Sequence, residues 1–295
     1  MEPKKMLFIV NPRAGRSRPL NSLLQAAATL SEGGYLLCVR RTTHAGHATE
    51  IVKQDGPLFD AVVAVGGDGT LNEVVSGLMT LEQPPLLGYL PHGSTNDFAA
   101  SLAISPNPVV AAEAILRHNV RALDVGTWNG RPFVYVASFG AFARSSYTAP
   151  QAAKNALGHF AYILEGLKDI SSLRPYRLSI TADGETLDGE YLFGAVCNST
   201  SIGGLMRLDP QRVVLDDGKF ELLLVPNPKT PQALQNLVRA LLEQHYDREG
   251  LIFRQVSSLQ IETRGALPWS LDGEYAASCP NVEIQNHQKV LSMLL

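Results

Sequence analysis

The chain has 295 residues and a formal net charge of −3, with 18% charged and 45% hydrophobic residues. This balance is typical of a soluble globular protein with room for two domains, and its scattered basic residues indicate no nucleic-acid partner. Three widely spaced cysteines indicate a reducing compartment and no disulfide framework. No stretch reaches the roughly 18 apolar residues that span a bilayer, and no signal-peptide pattern is present, so we expect a cytoplasmic protein.

Up to about residue 125, short apolar runs alternate with segments of helical character. The runs at 7–10, 35–41, 61–65 and 86–90 predict strands, and the segments 20–30, 45–54, 72–79 and 109–117 predict helices. This alternation predicts a mostly parallel sheet with helices on both faces. Because ligands on such sheets bind at the carboxyl ends of strands, we expect the loops after residues 10, 65 and 90 to converge.

The pattern changes after residue 125, where apolar runs separated by tight turns predict antiparallel strands. Two helical stretches, 151–168 and 231–244, interrupt these runs. The sequence therefore predicts an α/β domain at 1–125 and a β domain at 126–295. We expect the extreme C-terminus to pack back on the first domain.

A glycine-rich loop, Gly66-Gly67-Asp68-Gly69-Thr70, follows the strand at 61–65 and leads into a helix. Its glycines permit a sharp turn, and the free N–H groups of a helix N-terminus attract anions. Asp68 would repel a phosphate unless a divalent cation lay between them. The loop therefore predicts a metal–nucleotide site, although a bare glycine turn after a strand is more often only structural.

Two further loops follow predicted strands. Asn11-Pro12-Arg13-Ala14-Gly15-Arg16 carries arginines beside a glycine, which favours phosphate contact, although ordinary turn chemistry explains the same residues. Pro91-His92-Gly93-Ser94-Thr95-Asn96-Asp97 suits a sugar or phosphate cradle, or a simple helix N-cap by Ser94, Thr95 or Asn96.

These three loops and the later run Leu271-Asp272-Gly273-Glu274 occur in an order that resembles the diacylglycerol kinase catalytic-domain family. The likeness is to its soluble bacterial lipid kinases, with sphingosine kinases as relatives, and it covers essentially the whole chain. It implies an N-terminal three-layer α/β nucleotide-binding domain, a C-terminal antiparallel β-sandwich, and the active site between them. It also implies ATP-dependent phosphorylation of a diacylglycerol-like lipid to phosphatidate, with Mg²⁺ as the metal.

The resemblance also implies roles for individual residues. Ser94 stands where the family usually has Thr, and Ala14 stands where it commonly has Ser, which removes one hydroxyl contact. The implied nucleotide contacts are Asn11, Pro12, Arg13, Ala14, Gly15, Thr42, Gly66, Gly67, Asp68, Gly69, Thr70, Leu71, Asn72, Glu73 and Ser94.

The same resemblance implies that Glu274 is the general base and that Asp68 supports catalysis. It implies that Asp217 binds Mg²⁺ through its side chain, beside the backbone carbonyls of Val214 and Lys219. The competing interpretation of that segment is a plain hairpin turn. Asp124 and Asp216 are the supporting acidic residues.

Several alternatives stay open from the sequence. The acceptor could instead be phosphatidylglycerol, a sphingoid base or a soluble diol, and the chain could be a nucleotide-binding regulator without turnover. We expect contact with the inner membrane face, and an open strand edge in the β domain could pair two copies. The apolar segment 156–164 reads as core by default, with one wall of a lipid path as the alternative. His44 and His47 are three residues apart, but we find no third ligand nearby and expect surface histidines.

Overall fold

The computed structural model describes residues 3–14, 20–140, 174–202, 206–208, 213–243, 246 and 250–295. Gly15 and the segment 156–164, both singled out in the sequence, lie outside the described residues. The chain divides into two compact units, Met1–Val125 with Gln288–Leu295, and Gly126–His287.

The first unit is built on a parallel sheet. Its strands are β1 (Lys4–Val10), β2 (Tyr35–Arg41), β3 (Ala61–Gly66), β4 (Leu86–Pro91) and the first part of β5 (Val120–Trp128). Its helices are α1 (Leu20–Glu32), α2 (His47–Asp55), α3 (Asp68–Leu78), α4 (Asp97–Ser101) and α5 (Pro108–Leu116), with a 3₁₀ turn at Gly56–Leu58. The strand order in this sheet is β4-β3-β1-β2. Met293, near the C-terminus, pairs in parallel with Leu87 of β4.

Burial on both faces explains why the inner strands β1, β3 and β4 carry apolar runs without alternation, whereas the edge strand β2 is mostly exposed. All six residues of β3 are buried, as a strand covered by helices on two sides requires. Alternate residues such as Phe8 and Val63 share a core with Leu30 of α1 and Ile115 of α5. A Cβ at Gly77 of α3 would lie 2.6 Å from Cβ of Val52 of α2. Helices α2 and α3 therefore pack most closely at a position that has no side chain.

The second unit is antiparallel. Its strands are β6 (Arg131–Phe133), β7 (Val136–Gly140), β8 (Tyr176–Ala182), β9 (Glu185–Cys197), β10 (Ser201–Ile202), β11 (Met206–Arg207), β12 (Phe220–Pro226), β13 (Ile252–Val256), β14 (Ser258–Thr263), β15 (Trp269–Leu271), β16 (Glu274–Ala276) and the first part of β17 (Asn281–Leu294). The strand order is β16-β15-β7-β9-β8-β14-β17, and β12 pairs with both β9 and β13. Helix α6 (Pro231–Leu242) also belongs to this unit.

An aromatic core holds the strands of the second unit together. Trp269 is fully buried, with its ring centroid 5.1 Å from that of Phe139 and 5.9 Å from that of Trp128. Such tilted pairs bury large areas in favourable ring geometry. The two units thus confirm the predicted α/β fold followed by an antiparallel β fold.

Two helices begin where the sequence combines a capping side chain with a proline. Asn107 precedes Pro108, and its side chain accepts a hydrogen bond from Val109 N–H at the start of α5. Thr230 precedes Pro231 in the same way and accepts from Ala233 N–H at the start of α6. The cap satisfies one exposed donor and proline fixes the helical φ, so both starting points follow from local chemistry.

A buried acid on β12 makes the stability of the second unit depend on pH. Glu221 is 2% exposed, and burial raises its pKa from 4.5 to about 7, with Asp217 adding to the rise and a hydrogen bond from Gln255 opposing it. The folded state therefore holds this proton more tightly than the unfolded state, and stability is lost as pH rises from about 4.5 to about 7.

We predict that Glu221→Gln flattens this pH dependence, which amounts to about 3 kcal/mol over the full range. Urea unfolding at a series of pH values measures it. Glu262→Gln, on an exposed acid of β14, is the matched control and should leave the slope of the native protein unchanged. Parallel stability curves for Glu221→Gln and the native protein would contradict the prediction.

Candidate functional site

The loops that follow β3 and β4 cross at two glycines. A Cβ placed on Gly93 would lie 2.5 Å from Cα of Gly67, and one on Gly67 would lie 3.2 Å from Cα of Gly93. The loops are joined by a hydrogen bond of 2.7 Å from His92 N–H to the carbonyl of Gly66. A Cβ on Gly66 would lie 2.4 Å from Oγ1 of Thr70, so this position is restricted to glycine as well. Packing therefore favours glycine at Gly67 and Gly93, where backbones cross, and at Gly66, where the Thr70 side chain lies close.

Asn96 fixes the shape of the loop after β4. Its Oδ1 accepts a hydrogen bond of 2.9 Å from Gly93 N–H, and its Nδ2 donates one of 3.0 Å to the carbonyl of Gly93. The hydroxyl of Tyr89 lies 3.2 Å from the carbonyl of Gly66 and 3.3 Å from Oδ1 of Asn96. Asn96 is also left-handed, with φ of 54°, a conformation that asparagine tolerates.

The carboxylate of Asp68 lies at the start of α4. Its Oδ2 accepts from Asp97 N–H at 3.2 Å and its Oδ1 from Phe98 N–H at 3.4 Å. Asn96 stands at the N-cap position but makes no side-chain capping bond, and Ser94 and Thr95 are exposed. The interpretation of Ser94, Thr95 or Asn96 as a side-chain N-cap is therefore wrong, because the acid of the glycine loop supplies the cap.

Asn11 links the loop after β1 to the glycine loop. Its Nδ2 donates a hydrogen bond of 3.0 Å to Oγ1 of Thr70, and its N–H donates to the carbonyl of Val65. Its Oδ1 accepts from Arg13 N–H at 2.9 Å, which closes a tight turn. Pro12 and Arg13 are exposed at this edge. The three loops predicted to converge therefore do meet, within the first unit.

Glu73 and Thr42 tie the same edge to α2. The Glu73 carboxylate accepts from Gly46 N–H at 2.8 Å and Ala48 N–H at 3.0 Å, so it caps α2 from the neighbouring helix. Thr42 is buried, and its N–H donates to the carbonyl of Val10. Leu71 and Asn72, the remaining predicted contacts on α3, are also buried, while Gly69 is partly exposed.

Two further acids of the first unit are buried. Asp124 has no exposed surface, and its Oδ1 accepts from Lys289 N–H at 2.8 Å. Asp97 is 3% exposed and stands beside Asp68 through the amide contact described above. We did not single out Asp97 from the sequence. Its position at the end of the loop after β4 was the only sign that it could lie near Asp68. The two residues are 29 positions apart in the chain, so the sequence pattern alone does not show this contact.

In the second unit, Asp272 anchors the Asp-Gly-Glu turn. Its carboxylate accepts three backbone hydrogen bonds, from Val134 at 2.6 Å, Tyr135 at 2.9 Å and Val136 at 3.0 Å. Asp272 and Gly273 are both left-handed, with φ of 49° and 82°. The buried carboxylate therefore holds the whole turn in place.

Glu274, the predicted base, begins β16 directly after this turn. Its side chain is 53% exposed, and its Oε2 lies 3.3 Å from Nη2 of Arg131. A partly exposed ion pair of this kind contributes little to stability. Arg131 orients the carboxylate while leaving it open to solvent.

The predicted metal loop is also a turn. Lys219 N–H donates to Oδ1 of Asp217 at 2.9 Å, and the carbonyl of Lys219 accepts from Nδ2 of Asn286 at 3.2 Å. Val214 is exposed, and Asp216 and Asp217 are partly exposed. One carboxylate with backbone carbonyls is a set of hard oxygen donors, which fits Mg²⁺ if waters complete the octahedron.

Comparison with known proteins agrees with this arrangement. Residues 5–128 match the model of the diacylglycerol kinase catalytic domain, and residues 135–294 match that of the YegS C-terminal NAD kinase beta sandwich-like domain. A diacylglycerol kinase of Bacillus subtilis (strain 168) is 33% identical over 292 residues, which cover 98% of this chain and 96% of the relative. One of Staphylococcus aureus (strain Newman) is 31% identical over 279 residues, covering 94% and 88%.

A solved structure from Bacillus anthracis str. Sterne, assigned to the diacylglycerol kinases, superposes with a TM-score of 0.85 at 26% identity. The match covers 100% of this chain and 96% of the other. The fold and its glycine loops thus define a two-domain protein with an NAD-kinase-like β-sandwich. The chain belongs to the diacylglycerol kinase catalytic-domain family. None of the helices within the described residues is long and apolar enough to span a membrane.

We predict that Gly93→Ala lowers the free energy of unfolding by about 1–3 kcal/mol, because the new Cβ forces the two crossing loops apart. Urea unfolding measures the loss. Gly265→Ala is the control, since a Cβ at Gly265 meets nothing within 4 Å and its φ is not left-handed. Equal free energies of unfolding for the two variants would contradict the prediction, because the loops would then accommodate the Cβ without loss of stability.

We predict that Asp272→Asn destabilises the second unit by about 2–3 kcal/mol, since an amide NH₂ would face buried N–H donors. Asp183→Asn is the matched comparison. Asp183 also accepts from two backbone N–H groups, of Ser257 and Ser258, but is exposed, so water can replace the lost bonds. Thermal unfolding should show the larger loss for Asp272→Asn, and the reverse order would refute the anchoring role.

Proposed function

We propose that this protein is an ATP-dependent lipid kinase that transfers the γ-phosphoryl group to the hydroxyl of a diacylglycerol-like lipid, giving phosphatidate and ADP. The observation that carries the proposal is the 33% identity to a diacylglycerol kinase over 98% of the chain. The names of the relatives support a kinase; the lipid acceptor is part of our proposal.

In this proposal, ATP binds at the loops that end β1, β3 and β4. The N-terminus of α3 begins at Asp68, and the free N–H groups of a helix N-terminus suit phosphate oxygens. Arg13 is exposed beside these loops and is the candidate cation for phosphate. The remaining proposed contacts are Asn11, Pro12, Ala14, Gly15, Thr42, Gly66, Gly67, Gly69, Thr70, Leu71, Asn72, Glu73 and Ser94.

We assign Mg²⁺ to the side chain of Asp217 and the carbonyls of Val214 and Lys219, with Asp124 and Asp216 as supporting acids. When bound, Mg²⁺ supplies charge neutralisation for phosphoryl transfer. Lys219 N–H donates a hydrogen bond to Oδ1 of Asp217 within the same turn. Asp68 has a structural task as the cap of α4, and a role towards the nucleotide would be additional to it.

Glu274 is proposed as the general base. A lipid hydroxyl is a weak nucleophile, and a carboxylate within hydrogen-bonding reach accepts its proton while the oxygen forms the new bond to phosphorus. The bond from phosphorus to the bridging oxygen of ADP breaks in the same step. The Asp272 anchor and the contact with Arg131 set the position of this carboxylate in the absence of substrate.

The acceptor alternatives are phosphatidylglycerol and a sphingoid base, and each has the hydroxyl that this chemistry needs. The names of the relatives favour diacylglycerol among them. A lipid acceptor requires contact with a membrane surface, which we propose to be peripheral and at the inner face. A nucleotide-binding regulator is the remaining alternative.

We predict that Glu274→Gln lowers kcat for lipid phosphorylation by about 100-fold or more while KM for ATP changes little. Glu185→Gln is the matched control, because Glu185 is also an exposed acid paired with an arginine, Arg254 at 2.6 Å. Transfer of labelled phosphate from ATP to lipid measures both variants. Undiminished activity in Glu274→Gln would remove Glu274 from the role of base.

The substrate is tested by incubating the native protein with labelled ATP, Mg²⁺ and separate vesicles that contain diacylglycerol, phosphatidylglycerol or a sphingoid base. Label in phosphatidate alone is the expected result. Label in another product would keep the kinase and change the acceptor. No labelled lipid in any arm would favour the nucleotide-binding regulator.

A further inference from the structure

The turn before α2 and the first turn of that helix bring together three side chains with metal-binding chemistry. His44, His47 and Glu50 place one ligand atom each within 4.8 Å of the others. In the parts of the chain that the structure describes, no other three histidine, cysteine or acidic side chains meet this criterion. The expectation that no third ligand lies near the histidine pair is wrong, because Glu50 does, whereas an exposed His44 and a partly exposed His47 agree with the expectation of surface histidines.

The backbone explains this grouping. Gly46 is left-handed, with φ of 83°, and turns the chain so that His44 lies beside the helix it precedes. His47 and Glu50 are three residues apart on α2 and therefore share a face. The rings of His44 and His47 stack with centroids 4.7 Å apart, and Nε2 of His44 lies 3.7 Å from Oε2 of Glu50.

The contact of His44 with the carbonyl of Ala45 leaves its Nε2, the nitrogen that faces Glu50, available to a metal. Its Nδ1 lies 3.0 Å from the carbonyl of Ala45, and because a carbonyl can only accept, the proton of the neutral ring is on Nδ1. Nε2, the nitrogen near Glu50, then carries the lone pair. A histidine that donates one N–H to a carbonyl and ligates through the other nitrogen is the usual arrangement in metal sites.

His47 can adopt the same form with a local proton shift. Its Nδ1 lies 3.0 Å from both the N–H and the hydroxyl of Thr43. The N–H donates to an unprotonated Nδ1, whereas the hydroxyl can accept from a protonated one. Nε2 of His47 becomes available to a metal when the proton moves to Nδ1, which gives up the hydrogen bond from Thr43 N–H and leaves the Thr43 hydroxyl as the acceptor.

We propose that His44, His47 and Glu50 form a binding site for a borderline transition-metal ion, with Zn²⁺ as the representative. Two imidazole nitrogens and one carboxylate favour Zn²⁺, Ni²⁺ or Co²⁺ over Mg²⁺ and Ca²⁺, which prefer oxygen ligands. Three protein ligands leave the fourth tetrahedral position to water. Because tetrahedral Zn²⁺ places its ligands about 3.4 Å apart, the side chains must close by up to about 1.4 Å, which rotations of the exposed His44 and Glu50 side chains permit.

The site shares no residue with the magnesium loop proposed for the kinase. It lies on α2, whose first turn is bonded to Glu73 of α3, so bound metal would brace a helix that is already held to the glycine-loop helix. We therefore expect Zn²⁺ to stabilise the folded protein as well as to bind it. The proposal does not depend on the identity of the kinase substrate.

The test titrates Zn²⁺ into the full chain, freed of metal by a chelator, in competition with a chromogenic zinc indicator. Native protein should bind one Zn²⁺ tightly, and millimolar-range Mg²⁺ should not displace it. His44→Gln, His47→Gln and Glu50→Gln should each weaken this binding by about tenfold or more. His118→Gln and Glu113→Gln are the controls, and they should bind as the native protein does.

Two further measurements keep the result interpretable. Co²⁺ in place of Zn²⁺ should give the intense visible absorption of a tetrahedral site, and His44→Gln should abolish it. Zn²⁺ should raise the melting temperature of the native protein but not that of His47→Gln, with equal melting temperatures of both proteins in chelator showing intact folding. Zinc binding that survives all three substitutions, or no binding by the native protein, would overturn the proposal.

Discussion

The close crossing of Gly67 and Gly93 is the constraint on which the first unit's loop edge depends. Two backbones can approach this closely only if neither residue carries a Cβ. The approach lets His92 N–H reach the carbonyl of Gly66, and it brings the Asp68 carboxylate to the first N–H groups of α4. The conformation of one loop therefore specifies that of the other.

Acidic side chains in this protein are used repeatedly as backbone anchors. Asp68 caps α4, Glu73 caps α2 from outside, and Asp272 collects three amides of the segment that leads into β7. These residues belong to the motifs that indicate kinase chemistry. A carboxylate held by N–H donors is fixed in its orientation. In this family member, the motifs thus encode loop rigidity as well as chemistry, and preorganised loops bind phosphate with less loss of entropy.

Two features involve titratable groups outside those motifs: the raised pKa of Glu221, and the grouping of His44, His47 and Glu50. Burial in the sheet raises the pKa of Glu221 to about 7. His44, His47 and Glu50 lie together at an exposed or partly exposed position, where we propose that they bind a cation. The property of Glu221 follows from its burial on β12, and the grouping of His44 with His47 and Glu50 follows from the left-handed Gly46.

The sequence by itself determined the fold class and the location of the candidate loops. Apolar runs predicted the buried parallel strands, and the helical segments 109–117 and 231–244 predicted α5 and α6, because these signals act within a few residues. The spacing of the motifs placed the three loops at strand ends. Only the tertiary structure decided that Asp68 rather than Ser94, Thr95 or Asn96 caps α4, that Glu73 caps α2, and that Glu50 joins the two histidines. The physical reason is that each contact depends on how backbone segments are turned or placed against one another in space, and a pattern of residue types does not specify that placement.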